Sequence, residues 1–237
     1  MIIKDLLKHT LSYKCYAWYK RKKRQERLRI LSANFLKEGE YTLKEFANAL
    51  NWADIPFWLD YGTLLGFYRE HDFIKHDSDL DTGAFIEDAS KIQEVLEKAG
   101  FKLVRRYWNL DGTGLEQSYC KIGCKTTIDV FYYIKNGDSM YCYSYKPLNN
   151  FNTRKNTFKE MPFTTYTCTV PFCGLKKAVF KNIEVNVPID TKGYLIANYG
   201  ENFMIPDPNY SSSTASNLHY YTYEEKPAAG YLEIPYA

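Results

Sequence analysis

The spacing of apolar residues changes near residue 56, from the three-and-four spacing of helices to shorter, alternating runs. Residues 4–50 predict helix, with a second helical segment beginning near Leu28. Beyond them, residues 57–61 predict a short strand, residues 64–69 a short helix, and residues 79–86 an alternating strand. The chain therefore begins with helix and continues as a mixture of strands and helices.

The next segment predicts one more helix and three strands. A helix over residues 91–99 has Asp88 or Ser90 as its N-cap and Gly100 as its stop signal. The strand-like runs that follow cover residues 101–108, 115–122 and 126–134, and Asp-Gly and Asn-Gly turn signals separate them from their neighbours. The predicted fold class is α/β (α+β), with a small mixed sheet flanked by helices and an N-terminal helical extension. The serine- and tyrosine-rich segment after Pro206 is interpreted as a loosely structured tail.

Composition narrows the class of protein. With 237 residues, 45% hydrophobic and 25% charged, the chain suits one sizeable soluble domain. A net charge of +3 does not indicate a nucleic-acid partner. Neither a spanning apolar stretch nor a secretory signal is evident, so we expect a cytoplasmic protein with reduced thiols. Cys120-x3-Cys124 and Cys168-x4-Cys173 resemble zinc-ligand spacings but lack a matching histidine, which favours free buried cysteines.

A run of basic residues lies in the N-terminal helix. Residues 20–24 are all Lys or Arg, and Tyr16 and Trp18 precede them. Such a helix, over residues 4–25, can lie on an anionic surface and bring the protein to the inner face of a membrane. A solvated helical face explains the same run, and both interpretations stay open.

Two aspartates mark the candidate active site. Asp79 and Asp81 are two residues apart in a predicted strand, so their carboxylates lie on the same face. Carboxylates held together repel one another unless a cation lies between them, and hard oxygen ligands suit Mg²⁺ or Mn²⁺. An EF-hand calcium loop is excluded because its glycine and bidentate glutamate positions hold Thr82 and Asp88.

A third acid, Asp129, lies in an apolar run on a predicted neighbouring strand. A lone acid there is costly unless it is paired or binds a metal. Three convergent acids can hold one or two ions, neutralise a transferring phosphoryl group and activate a hydroxyl nucleophile. Gly62 and Thr63, between a strand and a helix, are candidate ligands of the donor's phosphates. Arg69 and Lys121 are further phosphate candidates, although each is equally consistent with a solvated surface charge.

Several separated motifs resemble the signature of the LicD family, which includes the fukutin-related proteins and belongs to the nucleotidyltransferase-fold superfamily. They are Trp58-Leu59-Asp60-Tyr61-Gly62-Thr63-Leu64-Leu65-Gly66, then Phe73-Ile74, His76-Asp77-Ser78-Asp79-Leu80-Asp81-Thr82-Gly83, Val187-Pro188, Tyr194-Leu195 and Tyr199-Gly200-Glu201-Asn202-Phe203-Met204-Ile205-Pro206. The resemblance covers roughly residues 45–208. It suggests a helical extension at 1–44, a nucleotidyltransferase-like catalytic domain at 45–208 and a tail at 209–237.

The resemblance implies an activity as well. It implies that Asp79, Asp81 and Asp129 bind the metal, with Asp129 completing the site or acting as base. The reaction would transfer phosphocholine, ribitol phosphate or a similar group from a CDP-linked donor to a hydroxyl of a glycan or lipid-linked glycan. Two other enzymes fit the acids: a nucleotidyltransferase using an NTP, and a glycosyltransferase holding a nucleotide-sugar through Asp-x-Asp. A binding module that kept only the fold is disfavoured because all three acids are present.

Overall fold

The computed structural model describes residues 11–148, 158–207, 210 and 215–232. In chain order its elements are α1 (Leu11–Trp52), β1 (Phe57–Leu59), α2 (Tyr61–Arg69), β2 (Leu80–Phe85), a 3₁₀ turn (Ile86–Asp88), α3 (Ala89–Lys98), β3 (Phe101–Asn109), β4 (Leu115–Lys121), β5 (Thr127–Asn136), β6 (Ser139–Pro147), β7 (Phe158–Pro171), β8 (Leu175–Phe180), β9 (Ile183–Pro188), α4 (Thr191–Tyr199), β10 (Leu218–Tyr220) and β11 (Ala228–Leu232). The predicted strands and helices from β1 to β5 are all found, with ends that differ by at most three residues.

Most strands belong to one mixed sheet. Its order is β1-β2-β5-β4-β3-β11-β7-β10, with β6 pairing with both β5 and β7, while β8 and β9 form a separate hairpin. The β2–β5 pairing is parallel, and the other pairings of this sheet are antiparallel. A mixed sheet flanked by helices confirms the predicted fold class, although nine strands make it larger than expected.

Six strands of this sheet pair in a closed ring. Going round it, β5 pairs with β4, β4 with β3, β3 with β11, β11 with β7, β7 with β6, and β6 with β5 again. The strand β11 comes from the segment predicted to be a loosely structured tail. That prediction is wrong for residues 218–232, because β10 and β11 both pair with β7.

Helix α1 is continuous from Leu11 to Trp52, where the sequence pattern had indicated two segments. Its residues 15–30 are exposed, whereas Phe35, Leu43 and Phe46 are buried in the core. The predicted domain boundary between residues 44 and 45 therefore falls inside this helix, and buried side chains lie on both sides of it. No helix in the described part of the chain is long and apolar enough to cross a membrane.

A buried polar network fixes the start of α2. The carboxylate of Asp60, the N-cap of this helix, accepts a hydrogen bond from the N–H of Tyr61 at 2.8 Å. It also accepts hydrogen bonds from the hydroxyls of Tyr133 and Tyr194, at 2.8 and 2.9 Å. Burial raises the pKa of Asp60 to about 6. Since these tyrosines belong to β5 and α4, the network positions the first turn of α2 against the sheet.

Candidate active site

The acids predicted to form the site lie at the start of two neighbouring parallel strands. Asp81 is the second residue of β2 and is in register with Asp129 of β5, so their side chains share one face of the sheet. Asp79 directly precedes β2, and its carboxylate accepts a hydrogen bond from the Ser78 hydroxyl at 3.2 Å. The structure therefore brings Asp79, Asp81 and Asp129 to the same end of the sheet.

The first turn of α2 holds Asp81 through two hydrogen bonds. The N–H of Gly62 donates to Oδ2 of Asp81 at 3.0 Å, and the N–H of Asp81 donates to Oγ1 of Thr63 at 2.8 Å. A Cβ on Gly62 would lie 2.5 Å from Oδ2 of Asp77 and 3.1 Å from Oδ2 of Asp81, so only glycine fits without a shift. Thr63 is buried. Both residues thus position Asp81, and their contact with a donor phosphate stays a prediction.

Burial and mutual repulsion perturb this cluster of acids. Burial, with repulsion from Asp129 and then Asp77, raises the pKa of Asp79 to about 7. Burial, followed by repulsion from Asp79, raises the pKa of Asp81 well above its usual range. Burial also raises the pKa of Asp77, an acid that the sequence analysis had not assigned to the site. Excess negative charge of this kind favours a bound cation.

Arg105 of β3 contacts the cluster of acids, and the sequence analysis missed it. Its guanidinium forms an ion pair with Oδ2 of Asp129 and donates from Nε to the Ser118 hydroxyl at 2.9 Å. The other carboxylate oxygen of Asp129, Oδ1, is buried without a hydrogen-bond partner. A register shift between Leu103 and Arg105 explains the miss, because it brings Arg105 opposite Ser118 and onto the face of Asp129.

The donor set fits a hard divalent cation. Asp79 and Asp81 supply carboxylate oxygens, and the orphaned Oδ1 of Asp129 is a further acceptor. Among the residues that the structure describes, no three His, Cys, Asp or Glu side chains already surround one point as metal ligands. Two carboxylates and one further acceptor are a donor set that Mg²⁺ uses, because Mg²⁺ is usually held by one or two carboxylates together with water and substrate phosphates.

Two cavities meet at Gly62. The tyrosine-lined cavity, of about 310 Å³, contains Asp77 and Asp81 in its wall. Its aromatic wall consists of Tyr61, Phe131, Tyr166, Tyr199 and Tyr210. The larger cavity, of about 1,040 Å³, is lined by Arg69 and His76, together with residues 199–203 and 205–207. Gly62, Tyr199 and Tyr210 line both cavities, so the two adjoin each other beside Asp81.

The two predicted phosphate-binding cations have different positions. Arg69 lines the larger cavity, donates to the Phe203 carbonyl oxygen at 3.3 Å, and has a buried Nε without a partner. Its contact with a phosphate stays a prediction. Lys121 is on the face of β4 opposite Ser118, where its Nζ binds Glu45 at 2.9 Å and the Ala99 carbonyl oxygen at 2.6 Å. The prediction of a phosphate contact by Lys121 is therefore wrong, since alternation turns its side chain away from the acids.

Paired acids on a mixed sheet, beside the first turn of a helix that contacts them, define a nucleotidyltransferase-like site. The family model described as LicD/FKTN/FKRP, nucleotidyltransferase domain, matches residues 54–190, a stretch that includes all three acids. This chain belongs to that family.

Individual relatives are similar over a comparable stretch. Ribitol-5-phosphate transferase FKTN of Homo sapiens is 31% identical over 173 residues, which are 73% of this chain and 34% of that protein. Uncharacterized protein RP689 of Rickettsia prowazekii is 29% identical over 163 residues, 67% of this chain and 53% of that protein. This chain thus spans about a third of the length of the fukutin relatives.

A solved structure matches part of this chain at low identity. The crystal structure of the lincosamide antibiotic adenylyltransferase LnuA, bound to lincomycin, has 14% identity and a TM-score of 0.38. The match covers 64% of this chain and 78% of that chain.

Proposed function

We propose that this chain transfers a substituted phosphate group, a phospho-alcohol, from a CDP-linked donor to a hydroxyl of a glycan. The observation that carries the proposal is the convergence of Asp79, Asp81 and Asp129 at the same end of two parallel strands, with Asp81 in the wall of a cavity. The two adjoining cavities can together take the donor and the acceptor, with the transferring phosphorus beside the acids. Membership of the LicD/FKTN/FKRP family and the similarity to fukutin, named as a ribitol-5-phosphate transferase, support this assignment.

In the proposed site Asp79 and Asp81 hold Mg²⁺ or Mn²⁺, which when bound neutralises charge on the donor's phosphates. Gly62 donates a hydrogen bond to the Asp81 carboxylate and Thr63 accepts one from the Asp81 backbone N–H, and together they keep Asp81 in place. Arg69, on the wall of the larger cavity, is available to the donor diphosphate.

Asp129 is the proposed base. Arg105 occupies one of its carboxylate oxygens and leaves Oδ1 without a partner. That oxygen accepts the proton of the acceptor hydroxyl as the hydroxyl oxygen attacks the phosphorus that bears the alcohol. The bond between that phosphorus and the oxygen bridging to CMP breaks, and CMP leaves with the electron pair.

The test is release of CMP from CDP-choline, CDP-ribitol, CDP-glycerol and CDP-ethanolamine, with Mg²⁺ and with EDTA. Metal-dependent CMP release from one donor, absent in Asp81→Asn, is the expected result and names the transferred alcohol. Each reaction is run with and without glycan acceptors, because transfer can require the acceptor. Pyrophosphate release from CTP or another NTP, with no CMP from any CDP-alcohol, would instead make the chain a nucleotidyltransferase.

We also propose that the basic helix contacts an anionic membrane surface and brings the enzyme to a lipid-linked acceptor. Of the predicted segment, residues 4–25, those before residue 11 lie outside the described residues. In the described part Trp18 and Tyr19 are 62% and 55% exposed, next to the basic run. Sedimentation with anionic vesicles, compared with neutral vesicles and with a variant lacking residues 1–25, tests this contact. Equal sedimentation of both proteins would refute it.

A further inference from the structure

Three side chains in the wall of the tyrosine-lined cavity are joined by hydrogen bonds. Nδ2 of Asn217 donates to Oδ1 of Asn198 at 2.9 Å and to Sγ of Cys168 at 3.1 Å. The thiol of Cys168 donates to Oδ1 of Asn198 at 3.3 Å. These contacts orient both amides, and all three residues line the cavity.

The amides retain one unused donor and one unused acceptor. Nδ2 of Asn198 and Oδ1 of Asn217 are both buried without a hydrogen-bond partner. They belong to the two amides that the same hydrogen bond joins. A buried polar atom without a partner costs about 1–3 kcal/mol, which a ligand with a matching acceptor and donor recovers. Asn198 is only 2% exposed and belongs to the wall of the cavity.

The remaining wall favours a flat ring. The rings of Tyr199 and Tyr210 lie 5.0 Å apart between centroids, and Phe131 and Tyr166 line the same space. Aromatic side chains stack on nucleobases, and hydrogen bonds to the edge of the base then select which base is bound. The cavity also contains Asp81 and Gly62, so a nucleotide with its base there has its phosphates beside the acids.

We propose that Asn198 and Asn217 bind the edge of a cytosine base, which makes the tyrosine-lined cavity the nucleoside subsite of the donor. Cytosine presents the acceptor N3 beside the amino donor N4, which complements Nδ2 of Asn198 and Oδ1 of Asn217. Uracil in the same position would place its N3–H donor against the Asn198 donor and its O4 acceptor against the Asn217 acceptor. The assignment rests on the proposed function, which requires a nucleotide-linked donor, and adds the residues that select its base.

The first experiment measures binding of CMP and UMP to the whole chain by calorimetry in the presence of Mg²⁺. We expect CMP to bind at least about 10-fold more tightly than UMP, because the uracil edge leaves both amide atoms unpaired. Equal affinity for the two nucleotides in the wild-type chain overturns the proposal, whatever the variants do.

The variants Asn217→Leu and Asn198→Leu keep the approximate size of the side chain and remove the polar atoms. We expect each to weaken CMP binding about 10-fold or more and to reduce the preference over UMP. Asn136→Ala, at an exposed site, is the matched control and keeps wild-type affinity. Thermal melting identifies a variant that fails to fold, and Asn217→Ala then replaces it. Unchanged selectivity in a folded variant also overturns the proposal.

The subsite and the proposed function fail in different ways. Selective CMP binding without turnover of any CDP-alcohol keeps the cytosine subsite and removes the proposed reaction. CMP release from a CDP-alcohol by a protein that binds CMP and UMP equally keeps the reaction and removes the subsite.

Discussion

Replacing Thr63 with valine separates two roles for the helix turn beside Asp81. The sequence suggested that Thr63 contacts a phosphate of the donor. In the structure its buried hydroxyl oxygen accepts a hydrogen bond from the N–H of Asp81 at 2.8 Å. Valine has nearly the same shape as threonine but no acceptor. The substitution therefore leaves the N–H of Asp81 buried and unpaired while changing the packing little.

The expected size of the effect comes from that one lost bond. An unsatisfied buried N–H costs about 1–3 kcal/mol. For a chain of this length, about 1 kcal/mol corresponds to a change of roughly 2–4 °C in Tm, so Thr63→Val should lower the Tm by roughly 2–12 °C. A displacement of a catalytic group by about 1 Å can reduce the rate about 100-fold. We therefore expect kcat to fall about 10- to 100-fold with little change in the KM for the donor.

Differential scanning calorimetry and the kinetics of CMP release measure the two effects, and Thr63→Ser is the matched control. Serine keeps the acceptor oxygen and loses only a methyl group, so it should resemble the wild type in kcat. If Val and Ser variants have equal Tm and kcat, the hydrogen bond does not hold Asp81 in place. A rise in donor KM with unchanged kcat and Tm in Thr63→Val would instead support the phosphate contact.

Three further predictions follow from the same region. Asp79→Asn and Asp81→Asn should each reduce CMP release at least about 100-fold, because each removes transition-state charge stabilisation. Neither should lower the Tm measured without metal, because the neutral amide relieves the repulsion that raises the pKa of Asp79. A clearly lower Tm would contradict this account. Arg105→Met should lower the free energy of unfolding in urea titrations by about 1–3 kcal/mol, because Asp129 is left unpaired. The loss is smaller than for a fully buried pair because Arg105 is 30% exposed, and a variant as stable as the wild type would refute the prediction. Burial raises the pKa of Asp60 from 3.8 to about 6. As the pH rises, Asp60 therefore loses its proton in the unfolded chain before it does so in the folded chain. Between roughly pH 4 and 6 this lowers the free energy of unfolding by about 1.4 kcal/mol for each unit of increase in pH. Asp60→Asn should lack this loss, and urea midpoints with the same pH dependence as wild type would contradict it.

Local pattern was enough to predict the strands and helices around the acids. The alternation at Asp79 and Asp81 and the apolar run around Asp129 depend on neighbouring residues only, and the strands formed there. The same reasoning identified Gly62, but assigned it to a phosphate. The structure shows why glycine is needed: the carboxylates of Asp77 and Asp81 leave no room for a Cβ.

What could not be predicted depends on long-range register. A register shift in β3 decides that Arg105 faces Asp129, and no local signal distinguishes Arg105 from Arg106 beside it. Asn198 and Asn217 lie 19 positions apart in the chain and meet only through tertiary packing. Lys121 was misassigned for a related reason, since the face to which its side chain points depends on the strand pairings.

The closed ring of strands constrains when the protein can fold. The strand β11, the last along the described residues, is the one that pairs with both β3 and β7. Until residue 232 has been synthesised, those two strands have unpaired edges, the kind of surface that pairs with other chains. The contacts between β3 and β11 span more than a hundred residues, which favours slow closure of the ring.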